Sequence, residues 1–149
     1  SEGHAQCRLG RLAATPSTRF PSMLPIDNPF LSWLGVRLTQ WSSGYAEMRL
    51  DATSHHMNRI GRVQGGVIAT LLDAACGYSG LYAEPGEPPL RNVTLSLTTQ
   101  FMDTGDGQEL VARGYVERRG RSVYFARGEV LLDSKLVLAT AVGTFKYLR

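Results

Sequence analysis

One stretch of this 149-residue chain holds two kinds of group that together could act on a carbonyl. Gly65-Gly66 opens a run of mostly apolar residues that continues to Ala83, and Asp73 is the only carboxylate in it. Apolar side chains recur on every side of this run, which predicts a helix buried all round and reaching to about Tyr82. A helix that starts at the glycine pair leaves backbone N–H groups unpaired at the positive end of its dipole. Asp73 follows two turns later, roughly on the same face. A lone carboxylate in such a helix is costly unless something pairs with it or uses it. Fixed N–H donors can hold the oxyanion formed when a carbonyl is attacked. A carboxylate that has shed water can attack, or activate water to do so.

The rest of the composition narrows the field. Apolar residues make up 43% of the chain and charged residues 19%, as in a folded globular domain. The formal net charge is +3 and the basic residues are scattered, so neither nucleic acid nor a membrane surface is indicated as a partner. Anionic phosphates on a small ligand remain compatible with it. The two cysteines, Cys7 and Cys76, suggest no disulfide framework, and Cys76 reads as a small apolar filler. With no secretory apolar segment at its start, the sequence reads as cytoplasmic.

Those groups need elements to position them. Residues 1–27, rich in proline, read as a loose N-terminal arm, and 28–149 as one domain. Asp27 or Asn28 can cap a short helix with Pro29 in its first turn and Gly35 at its end. Val36–Trp41 and Tyr45–Leu50 alternate as a hairpin. A polar connection from Asp51 to Gln64 leads into the long helix. Four strand candidates follow: Val93–Phe101, Leu110–Glu117, Ser122–Leu132 and Leu136–Tyr147. In the first of these, Val93, Leu95, Leu97, Thr99 and Phe101 are expected on one face, opposite Thr94, Ser96, Thr98 and Gln100. The sum is an α+β domain, a curled antiparallel sheet of about six strands around one long helix. Such a sheet has two edges to cover, so self-association is expected.

The pattern Asn58-x-x-Gly61-x-x-Gln64-Gly65-Gly66, followed by Asp73-x-Ala75-x-Gly77, resembles the signature of hotdog-fold thioesterases, most of all the phenylacetate-degradation-type (PaaI-like) acyl-CoA thioesterases. The resemblance runs from about Asn28 to Tyr147. It implies hydrolysis of a small, aromatic or medium-chain acyl-CoA. No metal or other cofactor is implied, and coenzyme A enters as part of the substrate. By position, the acidic catalytic residue is Asp73, acting as nucleophile or as general base, and the oxyanion N–H is that of Gly65. Asn58 binds the carbonyl or orients water, while Gly66 and Thr94 take part in substrate binding. The resemblance also implies a homodimer or dimer of dimers, with Asp73 facing Asn58 and Gly65 of the partner subunit. Where the family carries His before the glycine pair, this chain has Gln64, which cannot change charge near neutral pH.

Plainer readings stand beside these. Asn58 also fits an Asx turn. His55 and His56 would point opposite ways on an extended segment, with no third ligand near them. Arg118, Arg119 and Arg121 are either a solvated hairpin tip or the contact for the phosphates of coenzyme A, with Arg59 and Arg62 as rivals. Tyr78, Tyr82, Trp33 and Phe30 serve the core or an acyl pocket. Two other activities fit less well: a hydratase or dehydratase of acyl thioesters, and a non-catalytic acyl-CoA binder or regulator.

Overall fold

The structure, a computed structural model, describes residue 24 and residues 26–149, so the expected arm over 1–27 lies almost wholly outside the described residues. Asn28 caps helix α1 (Pro29–Leu34), its Oδ1 accepting from the N–H of Leu31 at 3.0 Å, and Gly35 closes it in the left-handed region at φ 94°. Strands β1 (Arg37–Ser42) and β2 (Tyr45–Asp51) form the hairpin. A 3-10 turn (Ser54–His56) and a loop lead to helix α2 (Gly65–Ser79). Strands β3 (Arg91–Phe101), β4 (Glu109–Arg119), β5 (Val123–Leu132) and β6 (Leu136–Leu148) complete the fold. The six strands make one antiparallel sheet in the order β1-β2-β4-β5-β6-β3.

The sheet curls around α2, which packs chiefly on β2, β4 and β5. Small residues make this close approach possible. A Cβ placed on Gly114 would lie 2.1 Å from the carbonyl oxygen of Ala75, and one on Gly128 would lie 2.7 Å from Cys76 Sγ. Around this line of contact, Met48, Leu50, Leu71, Leu72, Leu110 and Val130 are fully buried and form the core. The opposite face of the sheet is charged: Glu47, only 3% exposed there, accepts from Thr39 Oγ1 at 2.8 Å and pairs with Arg49 and Arg113.

Helix α2 stops at Ser79 rather than near Tyr82, and its last turn carries no basic residue. Its terminal carbonyls are met by aromatic donors instead. The Tyr124 hydroxyl donates to Gly77 O, Trp41 Nε1–H to Tyr78 O at 2.8 Å, and the Tyr147 hydroxyl to Gly80 O at 2.7 Å. Gly77 O and Tyr78 O also accept from the N–H groups of Gly80 and Leu81, so these donors add side-chain bonds to the helix end while bringing apolar area to the core.

Strand β3 departs from the even alternation expected of it. Thr94 lies opposite Phe145 on β6, but Ser96 lies opposite the next residue, Thr144, so Leu95 is extra. This β-bulge shifts the alternation by one. Asn92 and Thr94 face α2 ahead of the bulge, bonded to Tyr124 and Asp73 respectively. Beyond it, Leu97 packs on the core and Phe101 lies against Gly65. The single odd-numbered face is therefore corrected to two faces joined at Leu95.

The tight seat of α2 gives a stability test. Gly114→Ala drives a methyl into a helix carbonyl that cannot rotate away, and should cost roughly 1–3 kcal/mol or more. A urea midpoint equal to that of the unmodified chain would show that the sheet yields there without cost.

Candidate active site

Helix α2 carries Asp73 on the side that faces β3, where the bulge has aimed Thr94. Thr94 Oγ1 donates to Asp73 Oδ1 at 2.8 Å, which fixes the carboxylate and leaves its second oxygen for other work. Beside it opens a cavity of about 200 Å³ whose walls include Phe30, Leu31, Asp73, Tyr78 and Asn92. Phe30 and Tyr78 thus serve the cavity wall. Trp33 lies outside the core, 81% exposed on α1, where with Leu34, Thr53, His55 and His56 it borders a separate hollow. Tyr82 packs edge-on against Trp41, with ring centroids 5.6 Å apart.

The other end of α2 is built differently. Among the described residues nothing accepts from the N–H groups of Gly65 and Gly66, while the Gln64 carbonyl accepts from Val67 and Ile68. The Gln64 N–H donates to the carbonyl of His56 at 2.8 Å. The Gln64 side chain is exposed and makes no bond to a described residue, so the loop does not rely on it for its shape. Asn58 does close an Asx-type turn: its Oδ1 accepts from the N–H groups of Ile60 and Arg62, each at 3.0 Å. That use of the oxygen fixes the side chain and leaves the amide N–H₂ as the group with donors to spare.

His56 is the residue that sequence reasoning missed. It sits on the 3-10 turn, not on an extended segment, and is buried while His55 is exposed. The Thr53 N–H donates to its Nδ1 at 2.9 Å, and its Nε2 lies 2.8 Å from Leu34 O. An N–H can only donate and a carbonyl can only accept, so the ring is the neutral Nε2–H form. Both nitrogens are thereby occupied. His56 ties the end of α1, one wall of the cavity, to the loop that leads to Gly65. A signal was present in the sequence, since Thr53 and His56 have capping-box spacing.

The remaining candidates fall apart in space. Arg118, Arg119 and Arg121 are exposed at the β4–β5 tip, with Arg119 beside the Tyr147 hydroxyl. Arg62 pairs with Asp106, whereas Arg59 is exposed. Cys76 is fully buried, and its thiol is pushed up to about 12 by burial and then by the charge of Asp73, so it supplies no thiolate at neutral pH. Gly65 and Asp73, eight residues apart on one helix, are about 12 Å apart along its axis. One chain therefore cannot bring both to one carbonyl.

Comparison with known proteins agrees with this architecture. The pattern that defines the Thioesterase superfamily matches residues 60–139. An inferred esterase of Halobacterium salinarum is 30% identical over 133 residues, covering 83% of this chain and 87% of its own length. A variant of the phenylacetic acid degradation protein PaaI from Thermus thermophilus superposes with a TM-score of 0.69 at 25% identity, over 81% of this chain and all of its own. A thioesterase from Haemophilus influenzae shares the fold at a TM-score of 0.73 and 17% identity, over 83% of this chain and 85% of its own. With its six-stranded curled sheet, its central helix and the sequence match across that helix, the chain belongs to the Thioesterase superfamily and is a hotdog-fold, PaaI-like thioester hydrolase.

Proposed function

We propose that this protein hydrolyses acyl-CoA thioesters at a site assembled from two copies of the chain. The observation that carries the reading is the division of labour along α2: a carboxylate fixed by Thr94 at a cavity, and unpartnered N–H groups two turns away. In the reaction the carbonyl carbon is attacked either by Asp73 or by a water that Asp73 deprotonates. The carbonyl oxygen becomes an oxyanion, held by the N–H of Gly65 with help from Gly66 and the Asn58 amide. Collapse expels the coenzyme A thiolate, which takes up a proton. Water ends up in the free acid, directly or by hydrolysis of an acyl-enzyme. Gln64, exposed at the start of α2, stands at the rim of the site. His56, with both ring nitrogens engaged, is not available for the proton transfers that a hydratase needs.

Edge strand β3 supports the second copy. It is 11 residues long, is paired on one side only among the described residues, and exposes Val93, Leu95 and Phe101. An open apolar edge of that length is a template for another strand. Asp73 is tied to β3 through Thr94, and Gly65 abuts β3 at Phe101. Pairing β3 antiparallel with its copy about Leu97 and Thr98 carries the Thr94 end of one strand towards the Phe101 end of the other. Asp73 then approaches the partner's Gly65, in a homodimer that can pair further into a dimer of dimers. The phosphates of coenzyme A would be met by Arg118, Arg119 and Arg121.

Two variants test this. Asp73→Asn keeps the shape of the side chain but cannot ionise, so turnover of acyl-CoA should fall at least ~100-fold. Near-normal turnover by the pure variant would remove Asp73 from the chemistry. Alanine at all three tip arginines should raise KM for acyl-CoA, more at low salt than at high, and spare a short thioester without the nucleotide. Equal losses on both substrates would make the tip a structural element, and no loss on either would move the phosphate contact elsewhere.

A further inference from the structure

Asn92 also lines the cavity beside Asp73, one strand repeat, about 7 Å, from Thr94 on β3, the residue bonded to that carboxylate. The hydrogen bonds around it fix which way its carboxamide is turned. The carbonyl of Gly77 can only accept, so the Tyr124 hydroxyl gives it its single proton. The same hydroxyl lies 2.6 Å from the Asn92 amide, and having spent its proton it must accept there. Asn92 Nδ2 therefore faces Tyr124 and Oδ1 faces away. Gly77 leaves room for this, since a Cβ there would come within 3.3 Å of Nδ2.

Among the described residues no donor meets Asn92 Oδ1, and no fully buried side-chain oxygen or nitrogen lacks a partner. Oδ1 is consequently accessible rather than sealed in, on a residue that lines the cavity. The other carboxamide of that cavity, Asn28, spends its oxygen on the N–H of Leu31. An acceptor locked in orientation in the lining of a small cavity selects for a donor. A polar group left unpaired by a hydrocarbon ligand costs more than its bond gains.

We propose that Asn92 is a specificity-determining residue, whose carboxamide oxygen selects short acyl groups bearing a hydrogen-bond donor at their far end over hydrocarbon acyl groups of the same length. The assignment rests on the hydrolase reading for the identity of the ligand, but its test does not depend on turnover. The probes are two coenzyme A thioethers that cannot be hydrolysed, S-(4-hydroxybutyl)-CoA and S-butyl-CoA, whose dissociation constants are measured by calorimetry on the full chain. The unmodified protein should bind the hydroxylated probe at least about fivefold more tightly. Asn92→Leu should erase or reverse that preference. Asn92→Ala, which asks for no extra room, gives the same reading should the leucine variant not fold. Equal affinity of the unmodified protein for both probes, a preference that survives in both variants, or no binding of either probe would overturn the assignment. Loss of turnover in Asp73→Asn with no preference here would leave the hydrolase standing and Asn92 without a role. A preference here with full turnover in Asp73→Asn would do the opposite.

Discussion

A helix cannot bend its own N-terminus onto a residue two turns along. That constraint governs the arrangement of this protein. The N–H groups of Gly65 and Gly66 and the carboxylate of Asp73 lie on one rigid rod, about 12 Å apart. Each is suited to one half of an attack on a carbonyl, and neither can reach the other's half within the chain. In the two-chain site proposed above, antiparallel pairing of β3, which among the described residues is paired on one side only, would bring opposite ends of the two rods together. His56 gains significance from this arrangement. It ties α1, a wall of the cavity at the chain's own Asp73, to the loop before Gly65, which in the proposed two-chain site would serve the partner's Asp73. In that proposed arrangement a single buried ring would link the two sites.

The rod is rigid because of how it is seated. Gly114 and Gly128 allow the α2 backbone almost to touch the sheet, and Tyr124, Trp41 and Tyr147 satisfy its last carbonyls from three directions. The same Tyr124 that caps the helix turns the Asn92 amide, so capping and one wall of the cavity share a hydroxyl. Linked hydrogen bonds of this kind fix the orientation of the groups they join. That is what positioning for catalysis requires.

Much of this was legible in the chain itself. Asp73 stood out as the one carboxylate of a buried helix, and the strands were visible from their alternation, because both signals come from local periodicity. The bulge at Leu95 was not visible. Alternation in Val93–Phe101 looks unbroken in the sequence, and only pairing with β6 shows that one residue is extra. Thr94 nevertheless carried the expected hydroxyl, and the bulge is what turns it towards Asp73. For His56 the capping-box spacing to Thr53 was the one signal present, and its other partner, Leu34 O, is a distant backbone group that no local pattern records. Asn58 could be read two ways, and the structure shows the turn: its oxygen accepts from Ile60 and Arg62, and its amide keeps donors to spare. Trp33 looked like core and lies outside it, since a six-residue helix exposes most of its surface.

The central claim is that each site takes Asp73 from one chain and Gly65 from another, and mixing two inactive variants tests it most directly. Asp73→Asn removes the carboxylate. Gly65→Pro removes one N–H at the first helical position, where proline is tolerated, after a Gln64 already in the extended conformation that proline demands (φ −58°, ψ 132°). Each variant alone should be nearly inactive. Unfolded together and refolded, they should recover about a quarter of the normal activity, because half of a random mixture is mixed dimers and each of these holds one intact site. No recovery, with mixed dimers shown to form, would contradict the shared site and the division of labour between Asp73 and Gly65.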